Sequence, residues 1–245
     1  MFVSLSLSNN LFKFVDKITE NIFIRMLSEN KNTEKLHIAV AGNIGSGKTT
    51  LPRLLSEHYG WVPQYEAVTN TPYLQDYYAD IQRWSFNMEV FFLKERFRNI
   101  LDLQNSPQSF IQDRTIYEGV HVFVANNYKQ GHLSDRDYEA YMELFGLMTD
   151  MVRYPDLMIY LRSSIPHLVA NIQKRGRDYE QAIQIDYLKG LNDLYEDFIY
   201  NKYPGKVLTL EVDNMDYLHN KQDFTAILQK TDALLYGLFP LENEK

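Results

Sequence analysis

The residues best suited to chemistry stand together at Gly42-Asn43-Ile44-Gly45-Ser46-Gly47-Lys48-Thr49. They fit G-x-x-x-x-G-K-[ST], a phosphate-binding loop. Its glycines let backbone N–H groups point at a phosphate with no Cβ in the way. A helix starting at Thr50 adds the partial positive charge of its N-terminus. Lys48 is placed to reach β- and γ-phosphates, and the Thr49 hydroxyl to ligate Mg²⁺. Further along the chain come Glu66, then Asp113-Arg114-Thr115, then Arg175-Gly176-Arg177. A carboxylate near a γ-phosphate can accept the proton of an attacking hydroxyl. A mobile arginine pair can neutralise charge on a phosphoryl group in transfer.

These groups can cooperate only if the fold gathers them. Short apolar runs at Leu36–Ala41, Trp61–Tyr65, Phe110–Gln112, Asp156–Leu161 and Val207–Leu210 read as strands. The first leads into the phosphate loop, the second into Glu66 and the third into Asp113. Helices are expected over Thr50–Tyr59, Thr71 to about Tyr78, Ile81 to about Gln104 and residues 117–127. Four more are expected: from a Ser134 cap to about Val152, from Ser164 with Pro166 in its first turn, from about Gln181 to Tyr200, and from Phe224 to Leu238. Five such strands separated by helices predict an α/β fold, a five-stranded parallel sheet with helices on both faces. Parallel strands all point one way, so the segments leaving their C-terminal ends collect at one rim. Glu66, Asp113 and Arg114 are therefore expected near Lys48 and Thr49.

The bulk properties narrow the partners. A chain of 245 residues, 45% of them hydrophobic, suits one large domain, expected over 36–245. Residues 1–35 read as an extension of unknown role; they lack the basic n-region of a signal peptide. A net charge of −7 and no basic stripe argue against a nucleic-acid polymer. No apolar run is long enough to span a bilayer, so no membrane partner is expected. The absence of cysteine excludes disulfides and thiolate zinc sites. A cytoplasmic protein acting on small molecules is the expectation.

The ordered set Gly42 to Thr49, Glu66-Ala67-Val68, Asn70-Thr71-Pro72-Tyr73-Leu74, Arg83-Trp84-Ser85-Phe86, Asp113-Arg114-Thr115 and Arg175-Gly176-Arg177 resembles the deoxynucleoside kinase family. It is closest to bacterial deoxyadenosine/deoxyguanosine kinases and covers roughly residues 36–238. The resemblance implies a P-loop kinase fold, a homodimer, and transfer of phosphate from ATP, with Mg²⁺, to the 5′-hydroxyl of a deoxynucleoside in nucleotide salvage. It implies that Gly42, Asn43, Ile44, Gly45, Ser46, Gly47, Lys48, Thr49 and Thr50 hold the ATP phosphates. By the same resemblance Glu66 takes the 5′-OH proton and Arg114 holds Glu66 and the 5′-oxygen. Asp113 is a metal-associated carboxylate beside Thr49. Tyr78 and Glu180 bind the sugar 3′-OH, Arg175 and Arg177 close over the phosphates, and Phe123 stacks on the base.

The base pocket departs from the family pattern. Five residues after Trp84 the family usually carries Gln, and here stands Glu89; four residues before Phe123 it usually carries Asp, and here stands Gly119. Arg96 is retained, and Asn171 stands where the family places an additional lid arginine. An ionised carboxylate only accepts hydrogen bonds. Guanine offers it two adjacent donors on its Watson–Crick edge, whereas adenine offers one donor and one acceptor. Glu89 therefore favours deoxyguanosine, with deoxyadenosine next and Arg96 free to donate to guanine O6 and N7. Two alternatives stand beside this. Glu89 and Arg96, seven apart on one helix, could bridge each other, or burial could protonate Glu89 and make it act like glutamine. For the chain as a whole, the alternatives are a nucleoside monophosphate kinase and a nucleotide-binding switch. Asn220-Lys221-Gln222-Asp223 matches the N-K-x-D guanine signature of such switches, but no D-x-x-G occurs in the chain.

Overall fold

A computed structural model describes residues 35–66, 71–177, 180 and 183–237. The expected extension over 1–35 lies outside them, Lys35 apart. The strands are β1 (His37–Gly42), β2 (Val62–Gln64), β3 (Phe110–Asp113), β4 (Leu157–Arg162) and β5 (Val207–Glu211). All pairings are parallel, in the order β2-β3-β1-β4-β5. The helices are α1 (Thr50–Tyr59), α2 (Leu74–Ala79) and α3 (Ile81–Asn105). Next comes α4, which opens at Ile116–Glu118, widens into a π-helical turn at Gly119–Val124 and closes as α-helix at Ala125–Lys129. Then come α5 (Asp135–Thr149), α6 (Ile165–Arg175), α7 (Ile185–Asp197, ending in a π turn at Phe198–Lys202) and α8 (Lys221–Tyr236).

Strand β1 is central and buried along its whole length. Its side chains alternate with period two, so its two faces differ. Ile38 and Val40 pack with Leu51 and Leu55 of α1 and Ile227 of α8. Each buried leucine there contributes about 1.5–3 kcal/mol. Ala39 and Ala41 face the other way, toward a layer rich in rings that includes Tyr160, Tyr141, Phe145 and Tyr195. Helices thus cover both faces, as the strand pattern requires.

Side chains set the helix starts. Ser134 accepts from Asp137 N (3.2 Å) and Ser164 from His167 N (3.4 Å). Thr115 and Glu118 form a reciprocal capping box at α4. Asn220 accepts from Gln222 N (2.9 Å) and Asp223 from Asp216 N (2.8 Å). The N-K-x-D match is thus the cap of α8 and the tether of the loop before it. Several helix bounds differ from expectation; α7 starts at Ile185 where about Gln181 is expected, and α8 at Lys221 where Phe224 is expected. Helix α2 begins at Leu74, not Thr71, because a residue before proline is driven out of the helical region. Helix α5 ends at Thr149, where Met151 N→Met148 O and Val152 N→Thr149 O tighten the chain into turns short of Val152.

Candidate active site

Beyond β1 the chain enters the phosphate loop, packed so closely that side chains do not fit. A Cβ on Gly42 would lie 2.9 Å from Leu161 O. One on Gly45, whose φ is +87°, would lie 2.7 Å from Leu168 O of α6. The loop is bolted from behind. Asn43 Nδ2 donates to Leu188 O (2.9 Å) and Asn192 Oδ1 (2.6 Å), and its Oδ1 accepts from Ile44 N (2.7 Å). Asn171 Nδ2 donates to Gly45 O (2.8 Å), so the residue in place of a lid arginine ties α6 to the loop.

A cleft of about 790 Å³ opens over this loop. Ile44 through Thr50 line it, together with Glu66, Tyr78, Glu89, Arg96, Asp113, Arg114, Phe123, Arg175, Arg177 and Glu180. The parallel sheet thus gathers the expected residues, Gly42 and Asn43 apart, in one cavity. Those two sit behind the cleft wall, because Gly42 presses on β4 and the Asn43 amide is spent on α7.

Thr49 Oγ1 donates to Asp113 Oδ2 at 3.0 Å. Asp113 Oδ1 is buried with no hydrogen-bond partner. Burial pushes the Asp113 carboxyl above its ordinary value, against the pull of Lys48. A hydroxyl and an unpaired carboxylate oxygen are the hard ligands Mg²⁺ takes, with phosphate oxygens and water completing its shell. Among the described residues no group of three or more His, Cys, Asp or Glu could hold a metal without such help. Lys48 Nζ donates to Asn43 O (2.7 Å); burial, then the Arg114 charge, brings its ammonium down to about 7.

Glu66 sits between two guanidiniums. Arg96 bonds its Oε1 through Nε (3.0 Å) and Nη2, and Arg114 Nη1 bonds its Oε2 (3.0 Å). Burial would raise the Glu66 carboxyl; Arg114, Arg96 and Lys48 outweigh it and hold it at about 2. Arg114 takes a left-handed backbone, φ +69°, and its guanidinium lies 4.2 Å from the Phe123 ring centre. That conformation is costly for a residue with a side chain, so the ion pair with Glu66 and the surrounding packing must hold it.

On α3, Glu89 and Arg96 share a face but no hydrogen bond joins them among the described residues. Arg96 reaches Glu66 instead, so the expectation of a free Arg96 fails: only its buried Nη1 is without a partner. A Cβ on Gly119 would lie 2.7 Å from that Nη1, so the missing side chain there makes the room Arg96 occupies. Glu89 Oε1 accepts from Asn127 Nδ2 (2.9 Å). Burial, working against Arg96 and Arg114, pushes the Glu89 carboxyl up to about 7. The two arginines expected to form a lid, Arg175 and Arg177, are bonded to Glu180. Arg175 bonds it through Nε (3.0 Å) and Nη2 (2.6 Å), and Arg177 Nη1 lies 3.5 Å away.

Sequence reasoning missed several residues. Asn127, fully buried on α4, and Tyr77, whose OH donates to Asn127 Oδ1 (3.3 Å), stand behind Glu89. Tyr187 of α7 lines the same end of the cleft, and Tyr217 lies by the phosphate loop with its OH 3.5 Å from Gly47 O. Only the adjacency of Tyr77 to Tyr78 hinted at any of them.

The deoxynucleoside kinase family model matches residues 38–236. Among similar proteins, the deoxyguanosine kinase of Bacillus subtilis is 35% identical over 206 residues, covering 81% of this chain and 97% of that protein. The deoxyadenosine/deoxycytidine kinase of the same organism is 32% identical over 201 residues, covering 81% of this chain and 93% of that protein. A solved structure of deoxyadenosine kinase from M. mycoides with bound dCTP superposes with a TM-score of 0.71 at 28% identity, covering 81% of this chain and all of that one.

Proposed function

The chain belongs to the deoxynucleoside kinase family, and from that premise we propose that it transfers the γ-phosphoryl group of ATP to the 5′-hydroxyl of a purine deoxynucleoside, with Mg²⁺. The observation that carries this is Glu66, hydrogen-bonded to Arg114 in the cleft that also holds Lys48 and Thr49. The nucleoside lies between Phe123, under its base, and Tyr78 and Glu180, at its 3′-hydroxyl. The 5′-oxygen forms a bond to the γ-phosphorus as the bond to the ADP oxygen breaks, and the hydroxyl proton passes to Glu66. Arg114 holds Glu66 and the 5′-oxygen in line. Lys48 and the loop N–H groups grip the phosphates, and Arg175 and Arg177 leave Glu180 to meet the transferring charge. Thr49 and Asp113 would hold Mg²⁺, which would supply positive charge to offset that of the phosphates.

In this reading deoxyguanosine is favoured and deoxyadenosine comes next, because the Glu89 carboxylate accepts two donors. The relatives divide by base: one acts on deoxyguanosine, another on deoxyadenosine and deoxycytidine, as their names say. The same reading gives a cytoplasmic homodimer working in nucleotide salvage. No helix among the described residues is long and apolar enough to cross a membrane. The test is incubation with Mg²⁺ and ATP against a panel of deoxynucleosides and their monophosphates, with ADP and the new phosphate ester measured. Deoxynucleoside 5′-monophosphate is the expected product. Turnover of monophosphates alone would make the chain a monophosphate kinase instead, a reading disfavoured because a negative pocket with Tyr78 and Glu180 suits an uncharged sugar better than an added phosphate.

A further inference from the structure

Glu89 is 5% exposed, yet it lines the cleft at the end where the base lies. Its natural partner on α3, Arg96, is committed to Glu66. What holds Glu89 is an amide. Tyr77 OH donates to Asn127 Oδ1, which fixes the amide's orientation and aims Nδ2 at Glu89 Oε1. A bond accepted at Oε1 is compatible with both charge states of the acid, and it leaves the proton, when there is one, on Oε2.

We propose that Glu89 is a two-state base reader, set by Asn127: ionised it selects guanine, and carrying a proton on Oε2 it selects adenine. The inference rests on the kinase reading above and deepens it. Ionised, the carboxylate offers acceptors alone and takes guanine N1–H and the 2-amino group. Neutral, it offers one donor, Oε2–H, to adenine N1 and one acceptor to the 6-amino group, as a glutamine does. Each state leaves the wrong purine with a buried mismatch, which closed polar sites reject strongly.

The surroundings let both states occur near neutrality. Arg96, Arg114 and Glu66 face Glu89 from α3, the turn between β3 and α4, and the segment after β2; the two guanidiniums favour its ionised form and the Glu66 carboxylate, itself held at about 2, opposes it. Tyr77 of α2, Tyr141 of α5 and Tyr187 of α7 face it too; burial first, then the Glu89 charge among other influences, holds each above its ordinary value, so all stay neutral. Behind Asn127, His132 Nδ1 lies 3.5 Å from Oδ1, and burial lowers that ring's proton affinity. Against this fixed background burial puts the Glu89 carboxyl at about 7. Lys48 titrates in the same region, but it serves both substrates alike and cancels from their ratio.

The test is kcat/KM for deoxyguanosine and for deoxyadenosine from about pH 6 to about pH 8, with Mg²⁺ and ATP saturating, in wild type, Glu89→Gln and Asn127→Ala. One proton separates the two readers, so the deoxyguanosine to deoxyadenosine ratio should rise about tenfold per pH unit in the wild type. In Glu89→Gln the ratio should be flat and favour deoxyadenosine. In Asn127→Ala the crossover should move to higher pH, since the Asn127 hydrogen bond stabilises the ionised form. A flat wild-type ratio with both nucleosides turning over overturns the switch and leaves the kinase reading standing. The same slope in Glu89→Gln also overturns it. Turnover of neither nucleoside at any pH refutes the kinase reading on which the inference rests.

Discussion

Replacing Glu89 with Gln should stabilise the free protein, and only at high pH. Burial raises the Glu89 carboxyl from 4.5 to about 7. A carboxyl whose folded value lies above its unfolded one contributes stability that is complete below 4.5 and lost as the pH climbs through 7. A shift of this size corresponds to about 3 kcal/mol. At 5% exposure little solvent screening reduces it. Glutamine keeps the shape, can accept from Asn127 Nδ2 through its own Oε1, and never ionises. Thermal unfolding without ligand should therefore give nearly matching midpoints for wild type and Glu89→Gln near about pH 4. Near about pH 8.5 the variant should melt roughly 5–10 °C higher, given the few degrees per kcal/mol of a domain this size. A difference in midpoint that does not change with pH would refute the reasoning. So would a variant less stable at high pH, since that would make the ionised carboxylate a stabilising partner.

Glu66→Gln should leave ATP and nucleoside binding in place and lower kcat roughly 10²–10⁴-fold, the contribution of a well-placed base; near-normal turnover at saturating substrate would remove Glu66 from the mechanism. Arg175→Ala and Arg177→Ala should each lower kcat more than they raise KM for ATP, because both act on charge that develops in transfer; a rise in KM alone would make them binding residues.

Much of the site was legible because its signals are local. The glycine spacing of the phosphate loop, a buried strand before it and an amphipathic helix after it fixed residues 36–59 within a residue. Parallel strand order then brought Thr49 and Asp113 to hydrogen-bonding distance from 64 positions apart in sequence. What sequence hid was side-chain choice between competing partners. Spacing on α3 put Arg96 beside Glu89, but a long guanidinium can reach across the cleft, and Glu66 offered it two hydrogen bonds. Asn127 was invisible for a different reason. The π turn at Gly119–Val124 inserts a wider step into α4, so a 3.6-residue period carried from residue 117 loses register before it reaches Asn127.

The charges of the site bear on when the proton moves. A carboxylate held at about 2 by Arg114 and Arg96 has little appetite for the proton of a resting alcohol. Phosphoryl transfer through a loose transition state does not demand one early, because the attacking oxygen becomes strongly acidic only as its bond to phosphorus forms. In the proposed reaction Glu66 would thus suit a late transfer, and its earlier service would be that of a fixed acceptor aligning the 5′-hydroxyl. Arg96 ties this to the base. It lends two donors to Glu66 and keeps Nη1 unpaired beside Gly119, at the end of the cleft that the proposed reading gives to the base. A base that presents an acceptor to Nη1 draws on the same guanidinium that lowers the proton affinity of Glu66, so recognition at one end of the nucleoside and proton transfer at the other share one charge.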